Sequence, residues 1–164
     1  MELSAQRLRD LLDYDPETGI FAWKDSPRPG WKGKKAGTLT RDGYIQIKVD
    51  GKTYQAHRLA MFYITGEWPK DQIDHKDGDR AQNRRSNIRQ ADHSLNNENQ
   101  RNAQKNNSCG MLGVSPAKRP IKKPWRATIK VHGRVKHLGY FPTPNEAHEA
   151  YLRAKRELHQ GCTI

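Results

Sequence analysis

Apolar and polar positions in the first third of the chain predict one helix and three strands. Residues 3–12 carry leucines at helical spacing behind Ser4, a suitable N-cap, and Asp15-Pro16 predicts a turn after them. Residues 26–37, rich in Pro, Gly and Lys, are typical of a loop. The predicted strands cover residues 19–24, 44–49 and 52–56, and Asp50-Gly51 is a hairpin turn between the last two.

The middle of the chain predicts one apolar helix, a small polar hairpin and a second helix. A dense apolar run over residues 57–65 indicates a buried helix that ends at Gly66. Residues 72–76 and 87–91 predict short strands around a polar loop. Asp92 is a plausible cap for a helix running to about Lys105, which is polar nearly all round and would be marginal alone.

The last third predicts a compact unit of strands and one helix. Residues 125–131 alternate between apolar and polar, as in a half-buried strand, and residues 135–141 predict a second strand after a turn. A capping box over 143–146 then begins a helix whose alanines lie on one stripe. The alternation predicts an outward set and a core set on these strands. The outward set is Arg126, Thr128 and Lys130, and the core set is Trp125, Ile129 and Leu138.

Composition and charge indicate a polyanionic partner. Only 34% of the 164 residues are hydrophobic, so small modules with thin cores fit better than one large core. The net charge is +12, and residues 109–164 hold 11 Lys/Arg against 3 Asp/Glu, or +8 of it. Nucleic acid is the commonest partner for such a balance. Two cysteines without a C-x-x-C pair disfavour a structural zinc site and a disulfide framework.

One constellation carries chemistry. Asp74-His75 follows the short, partly apolar stretch Gln72-Ile73. Asn87 and Asn96 lie 12 and 21 positions beyond the histidine. A neutral imidazole can take a proton from water near pH 7, and a divalent cation can stabilise a leaving oxygen. Asp74 offers a charged oxygen ligand and Asn96 a neutral one, as Mg²⁺ prefers. Because adjacent strand residues point to opposite faces, Asp74 and His75 would need a twist or bulge to act together.

The segment over residues 55–101 resembles HNH endonucleases of the His-Me finger superfamily, on the branch of phage and intron homing endonucleases. The similarity rests on Ala56-His57-Arg58-Leu59, the run IDHKDGD, Asn83, Asn87-Ile88-Arg89 and Asn96. It implies that His75 is the general base, that Asn87 orients it, and that Asp74 and Asn96 hold one Mg²⁺ or Mn²⁺ ion. Asn87 could instead hold the loop, and Asn97 or Asn99 could replace Asn96. Expected phosphate contacts are Lys76, Arg84, Arg85 and Arg101.

Residues 111–161 resemble the Apetala-two, or ethylene-response-factor, type of DNA-binding domain, through Gly113-Val114, Trp125-Arg126-Ala127, His137-Leu138-Gly139 and Phe141-Pro142-Thr143. The resemblance implies a three-stranded antiparallel sheet on one helix, with the sheet in the major groove. The family's arginine after Gly-Val is Ser115 here, and its groove-facing tryptophan is His137, so base specificity does not carry over. The candidate backbone contacts on this unit include Lys118, Arg119 and Arg134.

The fold class predicted is therefore α+β: a ββα-metal nuclease module plus a small three-stranded sheet packed on one helix. The expected plan is a bracing region over 1–56, the nuclease module over 57–105, a linker over 106–110 and the DNA-binding domain over 111–164. Trp23, Trp31 and Tyr44 are expected in the core, not as stacking platforms.

The predicted function is metal-dependent cleavage of double-stranded DNA, in the cytoplasm of a bacterial host, by a monomer or homodimer without membrane contact. No secretory signal or membrane-spanning run is apparent. Two alternatives stay open: a DNA-binding protein without catalysis, and a protein that binds or cleaves RNA. The target sequence and the choice between nicking and double-strand cleavage are not indicated.

Overall fold

A computed structural model of the chain describes residues 3–25, 28–103, 107–118 and 122–162. The chain forms two compact units, Met1–Ala91 and Asp92–Ile164. Both mix helices with small antiparallel sheets, which confirms the α+β class. Within the described ranges, no helix has the length and apolar character needed to cross a bilayer.

The first unit begins with a helix that leads directly into a three-stranded sheet. Helix α1 (Ala5–Leu11) is capped by the Ser4 hydroxyl, which accepts from the backbone N–H of Arg7. Strands β1 (Leu12–Asp15), β2 (Ile20–Trp23) and β3 (Lys35–Ala36) follow, with β2 in the centre of the sheet. Strand β1 was not predicted: its alternation of buried Leu12 and Tyr14 with exposed residues is too short to separate from the leucine run before it.

A second sheet and a buried helix complete the core of this unit. Strands β4 (Thr38–Leu39), β5 (Ile45–Val49) and β6 (Lys52–Gln55) are antiparallel, and Asp50 and Gly51 turn between the last two with φ of 46° and 82°. The predicted hairpin is thereby confirmed, since a two-residue type I′ turn needs positive φ at both positions. Helix α2 (Ala56–Thr65) ends at Gly66 in the left-handed conformation, as predicted.

The predicted polar hairpin follows α2. Strands β7 (Gln72–His75) and β8 (Ile88–Ala91) pair antiparallel with a regular register. Ile73 and Ile88 bury into the core that α1, α2, β2 and β5 share. The hairpin is thus anchored on apolar side chains while Asp74 and His75, also buried, carry its polar chemistry.

The second unit opens with a short helix and continues as a sheet covered by a long one. Helix α3 (His93–Glu98) is capped by Asp92. Strands β9 (Val114–Pro116), β10 (Trp125–Val131) and β11 (Arg134–Phe141) form an antiparallel sheet with β10 central, and α4 (Pro144–Leu158) packs on it. Thr143 caps α4 and accepts from the backbone N–H of Glu146, as the capping box predicts.

The core of this unit divides into two small clusters under α4. Val114, Ala127 and Ala147 form one, and Ile129, Tyr151 and Ala154 form the other. Trp125 and Leu138 are half-buried against these clusters and Ile129 is buried, so the predicted core set is confirmed. The two alanines of α4 let the helix approach the sheet closely.

Two expectations from the sequence are wrong. The helix predicted to run from Asp92 to Lys105 ends at Glu98, because the asparagines that follow are poor helix formers and offer no apolar stripe; Lys105 itself lies outside the described residues. Trp31, expected in the core, is 37% exposed. Trp23 is buried and Tyr44 half-buried, as predicted.

Candidate active site

The His75 ring lies at the end of β7 and is held by a buried asparagine. Asn83 Oδ1 is 3.0 Å from His75 Nε2, and both side chains are at least 95% buried. Asn83 Nδ2 donates to the carbonyl of Ala81 at 3.1 Å, which turns the amide so that its oxygen faces the ring. An amide oxygen can only accept, so Nε2 carries a hydrogen, and a ring with one hydrogen then has its lone pair on Nδ1. The basic nitrogen is therefore Nδ1.

Asn87 holds the loop between β7 and β8. Its Oδ1 accepts from the backbone N–H of Asp77 at 3.0 Å, and its Nδ2 donates to Asp77 Oδ1 at 2.9 Å and to the carbonyl of Gln82 at 2.8 Å. Its backbone carbonyl also accepts from Lys76 N–H. The side chain thus spans the loop that carries Asn83. Of the two roles that the sequence left open for Asn87, these hydrogen bonds favour loop support.

Asp74 is buried and faces a guanidinium across the hairpin. Arg89 stands opposite Asp74 in the β7–β8 register, and its Nε and Nη2 donate to Asp74 Oδ2 at 3.0 and 2.8 Å. Both bonds fall on one oxygen of the carboxylate. The cation balances the buried negative charge, which would otherwise be costly to remove from water.

The twist or bulge expected between Asp74 and His75 is absent from the pairing. Asp74 pairs with Arg89 and His75 with Ile88, in step with the rest of the ladder. Asp74 therefore faces Arg89, whereas His75 faces a different set of rings. Consecutive Cα atoms are about 3.8 Å apart, so the two side chains leave neighbouring positions on opposite faces of the strand. That both act on one phosphodiester stays a prediction from the sequence.

Aromatic rings pack against His75. The His57 ring packs edge-on at 5.2 Å between centroids, and Tyr44 lies 5.3 Å from His57 and 6.2 Å from His75. Arg80 stacks over Tyr44 at 5.0 Å. Burial, together with His75 and Arg58, lowers the pKa of His57 to about 3. Its buried Nδ1 has no hydrogen-bond partner within the described residues, so His57 packs as a neutral ring.

The N-terminal sheet supports the loop that carries Asn83. Tyr14 on β1 donates its hydroxyl hydrogen to the carbonyl of Asn83 at 2.7 Å, and burial raises the pKa of this phenol to about 12. Gly19, in the β1–β2 turn, touches the same backbone: a Cβ there would lie 2.4 Å from Asn83 C and 2.2 Å from Arg84 N. Arg85 N–H donates to the carbonyl of Pro16 at 2.8 Å. Residues far apart in sequence thus fix Asn83.

The Asp74 carboxylate at the end of β7 is a ligand of the kind that a hard cation takes. Within the described residues, no three His, Cys, Asp or Glu side chains cluster as metal ligands. A single buried carboxylate, Asp74, fits a Mg²⁺ or Mn²⁺ ion that takes its other ligands from water and phosphate. Asn96 lies on α3 in the second unit, and its pairing with Asp74 stays a prediction from the sequence.

The predicted phosphate contacts around the hairpin are all exposed. Lys76 Nζ donates to the Ser86 carbonyl, Arg84 pairs with Asp77 at 3.3 Å, and Arg85 reaches the Ile88 carbonyl. Arg101 is exposed in the second unit, beyond α3.

The register of the second unit's sheet places its predicted DNA contacts. Arg126, Thr128 and Lys130 share one face with Tyr140, His137 and Val135, their partners on β11. Ser115 Oγ accepts from Arg126 Nε and Nη2, which holds the guanidinium on this face. Arg134 pairs with Val131 at the hairpin end and is exposed, as is Lys118. Arg119 lies outside the described residues.

Two residues of the site were not assigned roles from the sequence. Asn83 and Arg89 both fall in the matched motif region, yet an isolated asparagine or arginine predicts a turn or a solvated charge equally well. Arg89 could have been found from the sequence, since pairing the two predicted strands in the observed register places it opposite Asp74. No comparable signal identifies Asn83, because its contact with His75 depends on the shape of the loop.

Comparison with known proteins points to one class. Residues 54–98, from β6 to the end of α3, match the HNH endonuclease family model. DNA endonuclease I-HmuI of Bacillus phage SP01 is 36% identical over 89 residues, which are 51% of this chain and 48% of that protein. The match thus spans about half the length of this curated relative. A solved structure described as DNA binding and cleavage by the HNH homing endonuclease I-HmuI aligns with 98% of this chain and 95% of its own, at 24% identity and a TM-score of 0.48.

Proposed function

We propose that this protein is a metal-dependent DNA endonuclease of the HNH homing type, carried by a phage or mobile element and acting in the bacterial cytoplasm. The observation that carries the proposal is the buried His75 ring, whose Nε2 is bound by Asn83 and whose Nδ1 is therefore the basic nitrogen. The HNH family match over residues 54–98 and the likeness to DNA endonuclease I-HmuI support it.

In the proposed reaction, His75 Nδ1 takes a proton from water as that water attacks the phosphorus of a phosphodiester. The ester P–O bond opposite the water breaks, and the leaving oxygen takes a proton from solvent and becomes a hydroxyl. Asn83 keeps the ring in the required tautomer, and Asn87 keeps the loop in place. Asp74, with Asn96 as the second expected ligand, would hold Mg²⁺ or Mn²⁺, which neutralises charge on the leaving oxygen when bound. Because Asp74 and His75 flank the end of β7, we expect the DNA backbone to cross that end.

We further propose that the sheet of the second unit docks in the major groove, as in the Apetala-two type of domain that its sequence resembles. The outward face carries Arg126, Thr128 and Lys130, and Ser115 holds the Arg126 side chain in place. Lys118, Arg119 and Arg134 would contact phosphates around it. The concentration of net charge in this part of the chain, +8 over residues 109–164, supports this role.

The experiment that tests the proposal compares the parent chain with His75→Ala on supercoiled phage or plasmid DNA in Mg²⁺. Loss of the general base is expected to slow single-turnover cleavage by roughly 10²- to 10⁴-fold, with little change in binding to the same DNA. Cleavage by His75→Ala at the parent rate would refute the catalytic assignment. Activity that survives exhaustive EDTA treatment would refute the metal, and preference for RNA over duplex DNA at matched salt would refute the substrate.

A further inference from the structure

The outward face of the second unit's sheet is defined by its register. Cross-strand partners point to the same side, so three columns cross this face: Ser115–Arg126–Tyr140, Thr128–His137 and Lys130–Val135. A shift in register between Ala127 and Thr128 leaves Leu138 unpaired on β11. Without that bulge, Val135 and His137 would turn toward α4, because a one-residue slip exchanges the two faces of a strand.

Val135 is the most exposed large apolar side chain among the described residues. It is 69% exposed, and Tyr140, at the other end of the same face, is 43% exposed. The residues that surround Val135 on this face are polar: Lys130 stands opposite and His137 is the next outward residue along β11. An apolar group is therefore presented to solvent inside a basic surface.

We propose that Val135 contacts thymine C5-methyl groups in the major groove and gives the protein a preference for thymine at that position. The inference rests on the proposed function, since it requires that the sheet docks on duplex DNA. Thymine is the base whose major-groove edge carries a methyl group, and apolar side chains that meet it discriminate thymine from the other bases.

Charge around Val135 favours DNA over an apolar protein partner. Lys130, directly across from Val135, is exposed on the same face, and Arg134 and Lys136, its neighbours along β11, are exposed on the other side of the strand. A protein interface centred on Val135 would have to remove these cations from water, whereas a DNA groove places phosphates on both sides of the bases. In a major groove the base edges lie in the middle and the phosphates lie on both sides. Val135 would meet the base edges, and the cations near it would meet the phosphates.

The test replaces thymine with deoxyuridine, which removes only the methyl group. Binding sites are first selected by the full chain from random duplexes in EDTA. Each thymine of the selected site is then replaced singly, and Kd is measured for the parent and for Val135→Ala. Leu39→Ala is the matched control, because Leu39 is also exposed, at 62%, and lies in the other unit.

For the parent chain we expect deoxyuridine at one or two adjacent positions to weaken binding about fourfold. This is the effect on Kd of losing the burial of one methyl group. Val135→Ala should lose this sensitivity, and Leu39→Ala should keep it. The inference is overturned if no thymine in the site shows a methyl effect, or if Val135→Ala keeps the effect unchanged. If the full chain selects no duplex at all, the proposed DNA substrate has failed as well, so the two failures are distinguishable.

Discussion

At the scale of single residues, the site depends on a hydrogen bond that fixes which nitrogen of His75 is basic. Asn83 is 2% exposed, its amide is oriented by the Ala81 carbonyl, and its oxygen faces His75 Nε2. A side chain at position 83 that cannot accept this bond releases the ring to adopt the other tautomer. We therefore propose that Asn83 is a positioning residue, which acts on the proposed reaction through His75.

Asn83→Ala is expected to lower kcat roughly tenfold to a hundredfold, less than the loss caused by removing the base itself. KM should change little, because Asn83 is buried and does not meet the DNA. Single-turnover cleavage of plasmid DNA gives the rate, and ¹⁵N NMR of labelled histidine gives the tautomer. In the parent, His75 should show a protonated Nε2. A parent-like rate for Asn83→Ala, or a protonated Nδ1 in the parent, would contradict the assignment.

His57 carries a second prediction at this scale, one of stability against pH. Its folded pKa of about 3 lies below the ordinary value of 6.5, so the unfolded chain binds a proton over this window while the folded chain does not. Stability is therefore lost as pH falls from about 6.5 toward 3 and is unaffected by this group above that range. From pH 7 to 4.5 the loss is about 2–3 kcal/mol.

His57→Phe keeps a ring of similar size and removes the titration. Urea unfolding of the parent and the variant at pH 7 and 4.5 isolates this contribution, since other groups titrate in both chains. We expect the parent to lose more stability than the variant between these pH values. Equal losses in the two proteins would mean that His57 is protonated in the folded state as readily as in the unfolded one.

At the scale of elements, the β1–β2 turn supports the loop that carries Asn83, and Gly19 is the point of closest approach. Gly19 has φ of 75°, and a Cβ there would overlap the backbone of Asn83 and Arg84. The loop must shift to make room, and the shift moves the Asn83 amide away from His75. A substitution in the N-terminal sheet should therefore reach the proposed base without touching DNA.

Gly19→Ala is expected to lower stability by more than the ~1–2 kcal/mol of a left-handed alanine and to lower kcat with it. Gly33→Ala is the matched control: Gly33 has φ of 78° but no atom within 4 Å of its added Cβ. Gly33→Ala therefore introduces the strain of a left-handed alanine without a steric overlap, and it should cleave DNA at the parent rate. Thermal unfolding and single-turnover cleavage measure the two effects. If both variants keep full activity, the turn does not position the loop.

Elements with a local signal were predictable, and those set by tertiary contacts were not. The Asp50-Gly51 hairpin, α2 and the capping box of α4 each carry their own turn or cap residues. By contrast, α3 lacks an apolar stripe, so only the weak helix propensity of the asparagines around its end could have placed that end near Glu98. Asp74 and His75 were identified as a pair by spacing, whereas the partners Arg89 and Asn83 follow from strand pairing and loop shape.

At the scale of the whole molecule, each chain carries one Asp74-His75 pair, and positive charge is concentrated away from it in sequence. Residues 1–91 hold 17 Lys/Arg against 13 Asp/Glu, a net of +4, and residues 92–164 hold 13 against 5, a net of +8. The division fits a protein in which one unit supplies the base and the other most of the affinity for a polyanion.

One base per chain predicts that a bound monomer cuts one strand of the duplex. Supercoiled plasmid that contains the selected site should first become nicked circles, and linear DNA should follow only through separate later events. A gel time course with protein in excess follows the three forms, and a plasmid without the site controls for non-specific cutting. Because a dimer that presents two His75 rings would cut both strands in one encounter, direct formation of linear DNA without a nicked intermediate, with a rate that rises as the square of protein concentration, would contradict monomeric action.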